Sequence, residues 1–361
     1  MDIHDIAMAA NIAAKGGGSG EGYTKSETDA LLNSKQNTLT VPQLNAVNSG
    51  ITPEKVANYD DCYAVINYNA LNHNGIYRGK DLTNIYTVDE MYARIHNGTF
   101  EDLYLGDYFT KSTTTDIYTK FTGTEFAAGT TYYERSGADL LNWTYTETED
   151  AAYDSTKTYY TKLTKTENVT LMFAAFDYYY QMGDTACTTH HAILIPRNYG
   201  FATTSKMNPT NTTIGAYYNS EMHQTTLPCY AKSLKTALNN HLLSHRTILS
   251  NTINASTPSM AGVGFTGAST NWAWVTIELQ LMTEQQVYGT RAWTSSAYDI
   301  GIDYRILPVF NFINPVMFGR ATFWLRSVVS STYCAYCLGG GDASGNGASY
   351  AYYVRPLILF G

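Results

Sequence analysis

The apolar and polar positions of this chain change period along its length, and the changes predict its elements. TVDEMYARIHNG predicts a helix from Val88 to Ile95, capped by Thr87 and closed by Asn97-Gly98. The aromatic run Leu103 to Phe109 reads as a strand, as do LMFAAFDYYY (Leu171 to Tyr180) and HHAILIP (His190 to Pro196). Leu234, Ala237, Leu238, Leu242 and Leu249 keep roughly helical spacing and predict a helix from about Pro228 to Ser250. Val275 to Gly289 predicts a strand followed by a short helix or turn. Near the end, Trp324 and Leu325 are suited to anchoring a strand in the core, and Leu357 to Phe360 reads as an apolar closing strand.

The first fifth of the chain is patterned differently. Residues 1–22 end in a Gly/Ser stretch that reads as a flexible linker. Residues 23–57 hold short helical signals with narrow apolar stripes. Ser26 can cap a helix through Ala30, Leu31 and Leu32; Thr40 with Pro42 marks a second start, with Leu44 and Val47 following; Thr52 with Pro53 marks a third. Helices this short need partners. Neighbouring chains of an oligomer, or the helices' own domain, can supply them. Between 116 and 165 lies an internal repeat with an offset of 27 residues. Tyr118 recurs as Tyr145, Phe126 as Tyr153, and Thr131-Tyr132-Tyr133 as Thr158-Tyr159-Tyr160. Two copies are too few for a solenoid, and their Thr/Tyr alternation suggests two small β-hairpin modules inserted into a larger domain.

Composition narrows the function. Charged residues make up 15% of the 361 and there are 31 Tyr, so much of the surface is Tyr, Thr, Ser, Asn and Gly. Tyr gives rigid contact area at low entropic cost on recognition surfaces, and it also suits strands. With a net charge of −8 and no basic run, no nucleic-acid footprint is present. No run approaches 18 apolar residues, so no membrane insertion is expected, and the N-terminus does not read as a signal peptide. Five Cys (Cys62, Cys187, Cys229, Cys334 and Cys337) form no disulfide framework, which suits synthesis in a reducing cytoplasm.

Two sets of phrases carry a resemblance. YTKSETDALL (Tyr23 to Leu32) and KQNTLTVPQLNAVNSGI (Lys35 to Ile51) resemble the linker-helix motifs of phage tail fibres. GTFEDLYLGDYF (Gly98 to Phe109), THHAILIP (Thr189 to Pro196), MNPTNTTIGAYYNSEM (Met207 to Met222), LMTEQQVYG (Leu281 to Gly289), FWLR (Phe323 to Arg326) and VRP (Val354 to Pro356) resemble a phage and bacterial family with a C-type-lectin-like C-terminal domain. In that family the stretch between the WLR and VRP phrases is a ligand-binding face. In many relatives a diversity-generating retroelement mutates adenine positions there.

That implication can be checked within the sequence. Randomised adenines in AAC or AAT codons cannot yield Lys, Glu, Gln, Met or Trp. The segment Val329 to Tyr353 contains none of these five, yet carries five Tyr and two Cys, unlike a plain Gly/Ser loop. The resemblance thus implies a ligand face within 327–353. Tyr333, Tyr336, Tyr350, Tyr352 and Tyr353 are its aromatic platforms. Asp342, Ser344, Asn346 and Ser349 supply hydrogen bonds, and Thr332, Cys337 and Gly339 complete it. Trp324, Arg326 and Arg355 are expected to frame it, with at least one Arg paired to a carboxylate or to carbonyl oxygens.

Other chemistries read weakly. Cys334 and Cys337 have CxxC spacing but neither a second pair nor a strand-to-helix context. The lectin-like fold is shared by formylglycine-generating enzymes, which use paired cysteines, but the only close pair here lies in the segment expected to vary. His190 and His191 adjoin in a strand and face opposite sides. His241 and His245 are four apart in the predicted helix, without the Glu of a metalloprotease motif. Gly339-Gly340-Gly341 lacks the Lys of a phosphate loop, and the sequons at Asn211 and Asn254 read as polar loops. One carboxylate, Asp342, does not make a calcium site. No cofactor or metal is expected, and the chain is not expected to be an enzyme.

The expectation is an α+β protein: linker 1–22, helical oligomerisation neck 23–57, C-type-lectin-like globular domain 58–115 and 166–361, and inserted β repeat 116–165. It is expected in the virion tail fibre as a homotrimer. Its N-terminus contacts other tail proteins, and its face contacts a protein or glycan receptor on a bacterial surface. The alternatives are a structural fibre or baseplate part and a formylglycine-generating-type oxidase.

Overall fold

The computed structural model describes residues 24–27, 29–30, 70–198, 200–254, 267–298 and 300–361. The chain divides into two units, Met1–Ile66 and Asn67–Gly361. The expected linker over 1–22, and the helix starts at Thr40 and Thr52, lie outside the described residues. Within the first unit, residues 25–27 and 29–30 are helical. The cap is Thr24 rather than Ser26. The Glu27 N–H donates to the Thr24 hydroxyl (3.3 Å) and the Thr24 N–H donates to the Glu27 carboxylate (2.8 Å). Two orphan amides are thereby met reciprocally, which Ser26 inside the first turn cannot do.

The second unit is α+β, mostly sheet with few helices. Its main sheet begins with β1 (Tyr108–Lys120), β2 (Tyr133–Ser136), β3 (Thr144–Glu147) and β4 (Tyr159–Phe176). It is completed by β5 (Ala192–Pro196), β9 (Leu279–Leu281) and β14 (Pro356–Phe360), in the order β3-β2-β4-β5-β14-β9, with β1 along the other side of β4. β5 and β14 are buried at every position, as strands covered on both faces must be. A second sheet has the order β12-β11-β10-β13-β6. Its strands are β6 (Phe201–Lys206), β10 (Phe323–Val328), β11 (Tyr333–Cys337), β12 (Ala343–Gly347) and β13 (Ala351–Val354). β7 (His245–Ile253) and β8 (Ser269–Ile277) form a separate ribbon. The helices are α1 (Ala70–His73), α2 (Val88–His96), α3 (Leu227–Ala237) and α4 (Glu284–Tyr288), with a π-helical turn at Met222–Thr226.

Local chemistry explains where expectation and structure agree or part. α2 forms where expected, with a reciprocal Thr87/Glu90 capping box and Val88, Met91 and Ile95 buried. α4 follows β9 behind the same kind of box, Thr283 with Gln286, and Gly289 at φ 75° stops it. The helix expected to reach Ser250 ends at Ala237. Asn239 and Asn240 take left-handed φ of 51° and 65°, and β7 then begins at His245 with a partly alternating burial pattern. His241 and His245 therefore do not share a helix face. The strand expected from Leu103 starts only at Tyr108, because the buried Asp107 carboxylate accepts the Tyr104 and Lys80 amides and holds a turn. β4 ends at Phe176, short of Tyr180, since Asp177 turns at φ 51° and accepts the His191 amide.

The repeat also departs from expectation. Neither copy closes as a hairpin of its own. β1 and β4 pair without a break from Tyr108↔Met172 to Lys120↔Tyr160, so the 115/116 and 165/166 boundaries fall inside continuous strands. β2 pairs with both β3 and β4. The repeated aromatics meet across the two copies. Tyr118 stacks on Tyr145 at 3.8 Å, Phe126 lies edge-on to Tyr153 at 6.0 Å, and Tyr133 is the register partner of Tyr160. The duplication thus makes one pseudo-symmetric extension of the main sheet.

Candidate functional site

The segment expected to bind ligand is mostly strand rather than loop. β11 pairs antiparallel with β10 and β12, and β13 pairs parallel with β10 and antiparallel with β6. The frame beneath is rigid. Trp324 is fully buried and its indole N–H donates to the Ser205 carbonyl at 2.9 Å. Arg326 is buried, pairs with Asp303 and donates to the Gln280 side chain at 2.7 Å. Tyr179, Gln280 and Gln286 complete the shell around Asp303: the Tyr179 hydroxyl donates to its carboxylate, as does the Gln286 amide at 3.1 Å. Arg355 is 1% exposed and sits where the chain steps from β13 to β14. Its guanidinium donates to the carbonyls of Pro196 (2.7 Å) and Pro315, and burial lowers its pKa to about 10. Gly200 packs against this crossing: at φ 97°, a Cβ there would lie 2.1 Å from the Val354 carbonyl.

The phrase Met207 to Met222 braces the segment from outside. The Asn211 side-chain oxygen accepts the Ser349 amide (3.0 Å) and hydroxyl (2.7 Å), fixing the turn between β12 and β13. Thr213 donates its hydroxyl to the Ser330 carbonyl at 2.5 Å, and the Asn208 amide donates to the Ala348 carbonyl. Trp293 donates to the Ala343 carbonyl at 3.0 Å. Asn211 carries a sequon, which gave no sign of this bracing role, and the role of Trp293 had no local signature.

The expected ligand residues divide into three groups. Tyr333 (43% exposed), Tyr350 (55%) and Asp342 stand out from the sheet. Thr332, Gly339, Ser344, Asn346, Ser349, Tyr352 and Tyr353 are half-buried. Tyr336 and Cys337 are buried, which corrects the expectation that they line an exposed face. Tyr336 stacks on Tyr352 at 4.8 Å, and both rings meet Trp324, so Tyr336 serves as a packing bridge. The Asn346 amide donates to the Tyr352 hydroxyl at 2.7 Å, preorganising one edge. Leu338, absent from the expected set, is 37% exposed beside Asp342.

Cys334 and Cys337 are free, buried, and three apart in a strand, so their side chains leave opposite faces. Burial pushes the Cys334 thiol up to about 12 and raises that of Cys337. Both thiols are protonated at neutral pH, the opposite of what a nucleophile needs. His190 bonds Asp177 at 2.7 Å, while buried His191 accepts the Tyr179 amide (3.0 Å) and donates from Nδ1 to the Thr189 carbonyl (3.0 Å). Both precede β5 and neither faces a common metal position. Among the described residues, no group of three or more His, Cys, Asp or Glu side chains could hold a metal ion, and no helix is long and apolar enough to cross a membrane. No family model, curated protein or solved structure matches the chain.

Proposed function

We propose that the chain is a phage receptor-binding adhesin with a C-type-lectin-like core, carried on a trimeric neck, whose ligand face lies on β11–β13 and their turns. The observation that carries this reading is the contrast within one sheet. Trp324, Arg326 and Arg355 are locked from below, while Tyr333, Asp342 and Tyr350 are presented outward by strands whose backbone does not depend on them. Function placed on side chains carried by a fixed scaffold tolerates change in those side chains. Tyr supplies contact area, and Asp342 with the half-buried Ser344, Asn346 and Ser349 supplies hydrogen bonds. Three copies on one neck raise a weak single-site affinity through effective concentration.

The deciding experiment is sequencing of the 3′ end of the gene across many genomes of one phage population. Substitutions concentrated at Tyr333, Asp342, Tyr350 and the half-buried positions, sparing Trp324, Arg326, Arg355 and now Tyr336, support a diversified receptor face. Variation no greater than elsewhere in the gene sinks the diversification and leaves a fixed receptor or a structural role. The structural fibre or baseplate reading draws on Leu338, whose exposed side chain suits a permanent protein contact more than a wet face.

A further inference from the structure

One cavity lies away from β11–β13. It runs between the β2–β3 hairpin and α3, holds about 660 Å³, and is lined from exposed Asp116, Lys232 and Thr236 inward to buried Leu227, Leu279 and His223. That volume falls in the range of ligand pockets, roughly 300–1,000 Å³. We propose that this cleft is a second binding site, for a neutral saccharide of two or three units.

Three features of the cleft converge on that ligand class. The first is its aromatic wall. Tyr118, Tyr145 and Trp143 all line it. Tyr118 and Tyr145 brace one another by stacking, and Arg135 sits 3.4 Å from the Trp143 ring centroid. Lys232 donates to the Trp143 carbonyl at 2.9 Å, tying the hairpin loop to α3. The rings are therefore held ready, and a sugar's C–H face packs on such rings at little entropic cost. The second feature is charge. Lys232 and Lys235 are matched by Asp116 and Glu278, and Lys235 pairs with Glu278 directly. The charged side chains lining the cleft sum to zero, and its polar groups are ones that a plain alkyl chain would desolvate without replacing their hydrogen bonds.

The third feature is His223. It is 2% exposed, lines the cleft, and neither of its ring nitrogens has a hydrogen-bond partner. Burial lowers its pKa to about 3, so the ring is neutral. A neutral imidazole presents one donor and one acceptor. A hydroxyl group, itself donor and acceptor, can pair with either ring nitrogen whichever tautomer is present, whereas a methyl pairs with neither and a carboxylate only with the N–H. Leaving such a group unmet is costly, so its presence at the cleft marks a ligand contact.

The site shares no residue with β11–β13, and the outcome of population sequencing leaves it unaffected. The test is titration of the full chain with maltotriose, cellotriose and di-N-acetylchitobiose at millimolar concentration, read by saturation-transfer NMR, with sodium decanoate as the apolar comparison. Saturable binding of at least one saccharide is expected. Trp143→Ala should weaken it at least ten-fold, and Thr236→Trp, which fills the mouth without removing a core contact, should abolish it. His223→Phe is expected to lose binding while raising the Tm of the ligand-free chain by about 2–4 °C, because an unmet polar ring is replaced by an apolar one. No saturable binding by any saccharide, tighter binding of decanoate, saccharide binding that survives Thr236→Trp, or a lower Tm for His223→Phe each overturns the proposal.

Discussion

Single residues carry much of this fold's risk. Arg326 and Asp303 form an ion pair with almost no exposure, held by Gln280, Gln286 and Tyr179. Arg326→Met strands a buried carboxylate, so a loss of about 3–5 kcal/mol is expected in chemical denaturation, with much of it recovered when Asp303→Leu is added. Two buried imidazoles add a pH dependence. His223 and His245 have pKa values lowered to about 3 by burial, against about 6.5 in an unfolded chain. Between those values the unfolded chain binds protons that the folded chain refuses, so stability falls as pH drops from about 6.5 towards 3, by up to about 1.4 kcal/mol per His per pH unit. Urea midpoints measured across that window should fall steeply, and His245→Phe should flatten the slope. The anchoring of Trp324 was legible from residue type, and the bracketing Arg326 and Arg355 from the WLR and VRP phrases that carry the resemblance. The inward turn of Tyr336 and Cys337 was not, because a one-dimensional pattern does not say which layer covers a strand.

At the level of elements, legibility followed local chemistry. α2 and α4 carry their own punctuation, a Thr-x-x-Glu or Thr-x-x-Gln box, and α4 adds a left-handed Gly stop, so the sequence marks both. Thr87→Ala should cost about 1 kcal/mol of stability, measurable by thermal or urea unfolding, with no change in the two sheets. Leu242 and Leu249 continue a helical spacing and so predict one helix across α3 and β7, whereas Asn239 and Asn240 break the backbone. The positive φ of two consecutive Asn outweighed a hydrophobic period. The repeat failed in another way. Self-similarity reveals that two segments share a shape, but not whether each closes on itself or on its twin.

For the whole molecule, the continuous β1–β4 ladder makes the repeat an outgrowth of the main sheet. Replacing residues 122–158 by a two-residue Asn-Gly turn should leave a core that still unfolds cooperatively, at a lower Tm because α3 loses its cover, and should abolish saccharide binding. Persistent cooperative unfolding at the original Tm would show that the outgrowth does not pack on α3. If the chain is the proposed adhesin, a cell-adsorption assay should separate the two sites. Tyr333→Ala with Tyr350→Ala should reduce attachment at least ten-fold if β11–β13 meet the receptor, and leave saccharide binding in the α3 cleft untouched.

The position of β14 has a consequence for synthesis. This strand lies between β5 and the edge strand β9, so the two stay unjoined until residues 356–360 have left the ribosome. The tyrosine-rich segment is translated just before it. A nascent chain that meets a stop codon or a frameshift within 329–353 never acquires Leu357 to Phe360 or the Arg355 crossing, and its apolar interior stays open to proteases. Out-of-frame versions of the segment do not reach the folded state, while in-frame versions are free to change at exposed Tyr333, Asp342 and Tyr350 and remain constrained at buried Cys334 and Tyr336. The last strand thus acts as a reading-frame check on the segment that precedes it.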